Sequence, residues 1–150
     1  MSRGEIWTDA ESIAALLDHV QLQYRVDPNA VYLTGHSMGG HGALYLAYKM
    51  PQRFAAVAAL SPVSPITAWA GGLRGVPPSI IHGGKDEIAP VAETDELVQA
   101  IKKAGGDLQF TRLDERDHFI LDQYEGDEIF RWLSAHRKAA PENASDNEAK

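Results

Sequence analysis

The stretch Val31-Tyr32-Leu33-Thr34-Gly35-His36-Ser37-Met38-Gly39-Gly40 reads as a short apolar strand, a sharp turn with one serine, and the start of a helix. Its pattern Gly35-x-Ser37-x-Gly39 is that of a nucleophile elbow. We expect a Cβ atom at Gly35 or Gly39 to collide with nearby backbone, and we expect Ser37 to be strained. Such a turn exposes the serine hydroxyl and places the Met38 N–H at a helix N-terminus, where it can bind developing negative charge.

A bare pattern of this kind also arises by chance, in roughly one chain of this length in twenty. Its context here is strand-like residues before the serine and a helical run after it, which favours a nucleophile. The decision therefore depends on the rest of the chain.

Strands and helices alternate along the remaining sequence. Apolar spacing and turn signals predict helices over residues 9–25, 38–50, 89–104 and 121–137, and strands over residues 31–34, 55–60, 79–82 and 108–113. The last strand alternates in polarity and is predicted to be an edge strand. Such alternation is typical of an α/β fold with a mainly parallel sheet, here of about four strands with flanking helices. We expect one domain over residues 1–138 and a disordered polar tail over residues 139–150.

Composition excludes several classes of function. The 150 residues are 44% hydrophobic, carry a net charge of -7 and contain no cysteine. The negative charge argues against binding to nucleic acid, and the absence of cysteine excludes disulfides and thiol nucleophiles. There is no apolar stretch of signal-peptide or membrane-span length, so we expect a cytoplasmic protein, or a secreted one if an N-terminal part has been lost.

Three chemical side chains follow three different strands. Ligand sites in parallel sheets lie at the carboxyl ends of the strands, and Ser37, Asp86 and His118 all fall at that edge. A serine nucleophile needs a base, and the base needs an anion to hold its tautomer. We therefore predict His118 as the base and Asp86 as the acid, with Glu87 and Asp117 as rival acids. The chain order Ser–Asp–His is that of α/β-hydrolases.

The other histidines have weaker claims to a role in catalysis. His36 and His41 flank the serine and are predicted to pack or to support the site, with His36 also a candidate for substrate binding. We place His82 at the rim of the core and expect His19 and His136 to be solvated. No histidine pair has metal-ligand spacing beside a carboxylate, so the sequence predicts no metal site and no cofactor.

Several segments resemble the α/β-hydrolase superfamily, and in particular its carboxylesterase and feruloyl-esterase-like members. The resemblance covers about residues 8–138 and is carried by Gly35-His36-Ser37-Met38-Gly39-Gly40, His82-Gly83-Gly84-Lys85-Asp86-Glu87-Ile88-Ala89-Pro90, Asp117-His118-Phe119, and residues 26–35, 51–56 and 124–133. It implies that Ser37 is the nucleophile, Asp86 the acid and His118 the base, with the Met38 N–H in the oxyanion hole. Members of the superfamily usually carry glycine where this chain has Asp117.

The resemblance also implies that a front half is missing. Related hydrolases place several strands ahead of the nucleophile strand, including the loop that donates the second oxyanion N–H. Without them the nucleophile strand is a sheet edge, and only the C-terminal helix can cover the second face of the sheet. We therefore expect a homodimer, unless a short strand over residues 5–7 covers the edge.

The predicted function is hydrolysis of a small carboxylic ester through an acyl-enzyme. A serine peptidase with the same triad and a non-catalytic remnant that binds a ligand are the alternatives. The loop over residues 61–78 follows a strand at the catalytic edge, and its Trp69 is a candidate substrate-binding residue. Packing of Trp69 on the rim of the sheet is an equally weighted alternative.

Overall fold

Four parallel strands form one sheet in the sequential order β1-β2-β3-β4. The computed structural model describes residues 9–138 of the chain. Its strands are β1 (Tyr32–His36), β2 (Ala56–Leu60), β3 (Pro78–Gly83) and β4 (Gln109–Leu113), and its helices are α1 (Ala10–Gln23), α2 (Met38–Lys49), α3 (Val91–Lys103) and α4 (Glu128–Ser134). Short 3-10 helices span Pro51–Arg53, Thr67–Leu73 and Leu121–Tyr124. The predicted α/β class and parallel sheet are confirmed.

The crossover helices α2 and α3 lie on one face of the sheet. Their buried apolar side chains pack with Val57, Ala59 and Ile80 from the central strands. On the other face, Ala56, Ala58, Leu60 and Ile81 pack against Ile129 and Leu133 of α4. Every residue of β2 and β3 is buried, as expected for parallel strands covered on both sides.

Within residues 9–138, both outer strands are sheet edges, as predicted. Only β2 pairs with β1, and only β3 pairs with β4, within the described residues. Helix α1 contacts little of the core. Its Ile13 and Leu16 are 40% and 61% exposed, and Tyr24 directly after it is 68% exposed, whereas Leu17 packs against the core. The strand predicted over residues 5–7 and the tail predicted over residues 139–150 lie outside the described residues.

The C-terminal helix is shorter than predicted. A continuous helix over residues 121–137 is wrong, since the chain forms a 3-10 turn at Leu121–Tyr124 and then α4 at Glu128–Ser134. Gly126 lies between them, and glycine costs about 1 kcal/mol in a helix interior. The Tyr124 hydroxyl also lies 2.7 Å from Thr34 Oγ1, which anchors the first turn on β1. Ile129 and Leu133 of α4 are buried, whereas Phe130 beside them is 53% exposed.

None of the helices between residues 9 and 138 is long and apolar enough to cross a bilayer.

Candidate active site

Ser37 sits at the turn between β1 and α2 with φ 60° and ψ -118°, a conformation that non-glycine residues rarely adopt. The Ser37 amide donates to the carbonyl of Leu60 at 2.9 Å, which fixes the turn on the neighbouring strand. A Cβ on Gly35 would lie 2.2 Å from the Gly39 carbonyl oxygen, as expected. The same expectation for Gly39 is wrong, since a Cβ there would meet nothing within 4 Å. The backbone of Gly39 thus occupies the space that a side chain at position 35 would need, which is why position 35 is a glycine.

The structure brings Ser37, His118 and Asp86 into one hydrogen-bonded line. Ser37 Oγ lies 2.8 Å from His118 Nε2, and His118 Nδ1 lies 2.7 Å from Asp86 Oδ2. His118 is 4% exposed and the Asp86 side chain is fully buried, so solvent competes little for these contacts. The Asp86 anion favours the tautomer with hydrogen on Nδ1, which leaves Nε2 free to accept the serine proton.

Asp86 is held as a carboxylate by donors from the loop that follows it. Its Oδ1 accepts the Ala89 amide at 2.7 Å and the Ile88 amide at 2.9 Å, while Oδ2 faces His118. Burial raises the pKa of Asp86, but the hydrogen bonds from Ala89, His118 and Ile88 lower it more, so its pKa lies below the usual value. Asp86 therefore stays ionised at neutral pH despite its burial.

The two rival acids lie elsewhere. Asp117 is exposed, and its Oδ1 accepts the backbone amide of Phe119 at 2.9 Å within its own loop. Glu87 is exposed at the protein surface. Of the three carboxylates, Asp86 is the one bonded to the ring of His118.

The loop that carries His118 packs directly on the end of β3. A Cβ on Gly83 would lie 2.3 Å from the Asp117 carbonyl oxygen and 2.4 Å from that of Arg116. The Lys85 amide donates to the Arg116 carbonyl at 2.9 Å. The two loops can therefore approach closely because position 83, at the end of β3, is a glycine. The histidine loop itself carries Asp117 rather than glycine.

The main chain of His118 is bonded by two side chains from other strands. Its carbonyl oxygen accepts His36 Nε2 at 2.8 Å and Ser61 Oγ at 3.0 Å. His36 is the last residue of β1, and its ring centroid lies 5.0 Å from that of His118. The sequence did not single out Ser61, although it follows β2 at the same edge of the sheet as Ser37.

Trp69 lies on the 3-10 helix Thr67–Leu73 and packs over α2. Its ring stacks on Tyr48 with centroids 5.7 Å apart and meets His41 edge-on at 5.1 Å. The indole is half-buried against the apolar core. His41 Nδ1 donates to the Val63 carbonyl at 2.8 Å. These contacts are of the kind expected if Trp69 packs on the rim of the sheet.

His82 lies under the acid and is fully buried. Its Nε2 donates to the Ala89 carbonyl at 2.7 Å and lies 3.2 Å from Asp86 Oδ2, and its Nδ1 lies 2.9 Å from Thr94 Oγ1. His82 is therefore deeper than the predicted core rim. The prediction that His136 is solvated is also wrong, because this residue is half-buried. Its Nδ1 donates to the Trp132 carbonyl, and its own carbonyl accepts the Tyr32 hydroxyl at 2.6 Å. His19 is exposed, as predicted.

Met38 begins α2, so its amide has no acceptor within the helix. The amide of the residue after the serine is the oxyanion donor in nucleophile elbows.

Within residues 9–138, no group of three or more His, Asp or Glu side chains is arranged to hold a metal ion. A cavity of about 280 Å³ opens beside His118, lined by Lys85, Glu87, Ile88, Asp117, His118 and Phe119.

A comparison with protein families decides the relationship. Residues 7–105 match the family model described as "Putative esterase". The chain belongs to this esterase family. Its fold is that of the α/β-hydrolases, as the resemblance implied. The match includes Ser37 and Asp86 and ends before His118.

Several known proteins are similar to parts of this chain. Cutinase 1 of Thermobifida cellulosilytica is 34% identical over 142 residues, which cover 83% of this chain and 50% of the cutinase. S-formylglutathione hydrolase of Rattus norvegicus is 43% identical over 44 residues, 29% of this chain and 16% of that enzyme. The chain thus spans half or less of these two relatives. The fold of acylaminoacyl peptidase from Pyrococcus horikoshii superposes with a TM-score of 0.75 at 12% identity, over 95% of this chain and 30% of the peptidase.

Proposed function

We propose that this chain hydrolyses carboxylic esters through an acyl-enzyme intermediate on Ser37. The observation that carries the proposal is the line of hydrogen bonds from Ser37 Oγ through the His118 ring to Asp86 Oδ2, at 2.8 and 2.7 Å. A positioned base and a buried, ionised acid are what a serine hydroxyl needs to act as a nucleophile. Membership of the esterase family supports ester substrates.

In the first half-reaction Ser37 Oγ attacks the ester carbonyl carbon while His118 Nε2 takes the hydroxyl proton. The carbonyl oxygen becomes an oxyanion beside the Met38 N–H, and Asp86 stabilises the imidazolium. Collapse of the tetrahedral intermediate breaks the bond to the alcohol, which leaves with the proton from Nε2. Water then attacks the acyl-enzyme by the same route, and the acid product is released.

Within residues 9–138 we propose one donor for the oxyanion hole, the Met38 amide at the start of α2. Loss of one of two donors typically costs about 10²–10³ in turnover. We therefore propose a real but low esterase activity for the chain alone. A homodimer across the open edge of β1 is part of the same proposal, because it would cover that edge and could bring a second donor.

The leaving group is proposed to lie in the cavity beside His118. Phe119 and Ile88 are 64% and 60% exposed there and offer an apolar wall next to the ring that returns the proton. Glu87 and Asp117 line the rim, and Lys85 is paired with Glu115, so the rim carries net negative charge. Alcohols that are apolar, or apolar and cationic, fit this wall better than anionic ones.

The test of hydrolysis is release of p-nitrophenol from p-nitrophenyl acetate by the wild type and by Ser37→Ala. We expect slow turnover with an initial burst for the wild type and no turnover above background for the variant, with both folded by circular dichroism. Equal rates in the two proteins would overturn the proposal and leave a binding module. Amide substrates assayed in parallel would report a peptidase, which we expect to be the slower activity.

The leaving-group proposal is tested by three acetate esters of matched size whose alcohols are neutral, quaternary ammonium and carboxylate. We expect kcat/KM to be a few-fold lower for the anionic ester at low salt, and the difference to shrink as salt screens the rim. The double variant Glu87→Gln with Asp117→Asn should remove most of the difference. An anionic ester that reacts fastest would contradict this placement.

A further inference from the structure

The backbone carbonyl of His118 is bonded from two sides, and neither contact belongs to the line of Ser37, His118 and Asp86. His36 Nε2 lies 2.8 Å from this oxygen and Ser61 Oγ lies 3.0 Å from it. The two donors are 82 and 57 positions away along the chain and come from the ends of β1 and β2. A carbonyl oxygen only accepts, so His36 carries hydrogen on Nε2 and the Ser61 hydroxyl points its hydrogen at His118.

Ser61 holds this contact in an unfavourable backbone conformation. It is fully buried with φ 45°, and its amide donates to the Ile81 carbonyl at 2.8 Å. A non-glycine residue in this region costs about 1–3 kcal/mol, which glycine would avoid. What glycine would not supply is the hydroxyl that reaches His118. The strain therefore coincides with a side chain whose contact is to the proposed catalytic loop.

The position of the His118 backbone matters because its ring bonds two partners at once. Asp86 fixes Nδ1 of the ring, but Nε2 reaches Ser37 only if the Cα of His118 is also held in place. A misplacement of about 1 Å can cost on the order of 10²-fold in rate. His36 adds a second restraint, since its ring lies against that of His118 with centroids 5.0 Å apart.

We propose that His36 and Ser61 are positioning residues, which together clamp the His118 carbonyl so that the imidazole stays aligned between Ser37 and Asp86. This inference rests on the proposed function of Ser37 and His118. It assigns His36 to the base rather than to the substrate, and it gives Ser61 a role that its distance in sequence conceals.

The decisive variant is Ser61→Gly, because it removes the hydroxyl and the backbone strain together. We expect kcat to fall about tenfold with KM unchanged, while the melting temperature stays the same or rises. Ser64→Gly is the matched control: Ser64 also has positive φ, at 46°, but is exposed. It should gain similar stability and keep the wild-type kcat. A residue that served only the fold would show the reverse pattern at Ser61.

His36→Phe keeps an aromatic ring beside His118 and removes the donor, and should also lower kcat about tenfold. Together with Ser61→Gly it leaves the carbonyl without either side-chain donor, so we expect the double variant to lose about 10²-fold or more. His36→Gln, which restores a donor, should recover part of the loss. Unchanged kcat in Ser61→Gly, or a raised KM with unchanged kcat in His36→Phe, would overturn the clamp.

A measurement without turnover separates this inference from the proposed function. The proton between His118 Nδ1 and Asp86 should give a resolved downfield NMR signal in the wild type and in Ser64→Gly. We expect it to broaden or vanish in the double variant of His36 and Ser61. If the wild type shows no Ser37-dependent hydrolysis, the proposed function fails, yet the signal still decides on the clamp: an unchanged signal in the double variant refutes it.

Discussion

Replacing Gly35 by alanine should destabilise the fold more than any other single-methyl change in the elbow. The added Cβ would lie 2.2 Å from the carbonyl oxygen of Gly39, 2.3 Å from its carbonyl carbon and 2.9 Å from its Cα. Overpacking costs about 1–3 kcal/mol where side chains can move aside. Here the obstacle is the backbone of α2, so we expect about 3 kcal/mol or more, which lowers the melting temperature of a domain of this size by about 6–12 °C.

Gly39→Ala is the matched control, since the elbow pattern treats both glycines alike and the structure does not. A Cβ at Gly39 would meet nothing within 4 Å, and Gly39 lies in the first turn of α2. Alanine is favoured over glycine in a helix by up to about 1 kcal/mol. We therefore expect Gly39→Ala to be neutral or slightly stabilising.

Urea unfolding followed by circular dichroism measures both variants against the wild type. The expected order of unfolding midpoints is Gly35→Ala well below the wild type, with Gly39→Ala equal to it or above. A Gly35→Ala protein with the wild-type midpoint would show that β1 and α2 can separate at little cost. Two variants with equal losses would show that the contact is not where the structure places it.

Four further outcomes are expected. Asp86→Asn should lower kcat by several orders of magnitude, though less than Ser37→Ala, and Asp117→Asn should change it little; the reverse order in a p-nitrophenyl ester assay would mean that the acid is Asp117. Because the folded-state pKa of Asp86 is lowered, its ionised form stabilises the fold above about pH 4. This contribution is lost as pH falls through the lowered pKa. The free energy of unfolding, measured by urea titration at acid pH, should therefore depend less on pH in Asp86→Asn than in the wild type. Trp69→Ala should lower the melting temperature with unchanged acyl-chain preference, whereas a shifted preference at unchanged stability would place the indole in the acyl pocket. Light scattering over a dilution series should give a dimer mass, and a monomer at all concentrations would refute that expectation.

The parallel sheet could be predicted because two local signals agree along the chain. Short apolar runs and turn residues locate the strands, and their alternation with helices is typical of a parallel sheet. The break before α4 was missed because apolar spacing continues across Gly126 and weighs more in the pattern than one glycine. The apolar spacing of α1 also could not predict that Ile13 and Leu16 are exposed, because spacing defines an apolar face of a helix but not whether another element covers it.

The proposed site could be found because its three side chains follow three strands of one parallel sheet. The rule that such sheets bind at their carboxyl ends brings Ser37, Asp86 and His118 to one edge, and the chemistry of a serine nucleophile assigns their roles. Asp86 is preferred over Asp117 on the expectation that a side chain next to His118 in sequence points away from its ring. In the structure Asp117 turns its carboxylate back to the Phe119 amide, a local bond that short side chains commonly make in loops.

Ser61 marks the limit of this kind of prediction. It follows β2 at the same edge, so the rule that found Ser37 also covers it, yet a serine before proline reads as an ordinary loop residue. Its significance lies in a positive φ and in a hydrogen bond to a carbonyl 57 positions away. The hydrogen bond forms only when the end of β2 and the His118 loop are packed together, so no local pattern in the sequence indicates it. Side chains that act on reacting groups can be inferred from chemistry, whereas side chains that act on the backbone of those groups become visible only in the folded chain.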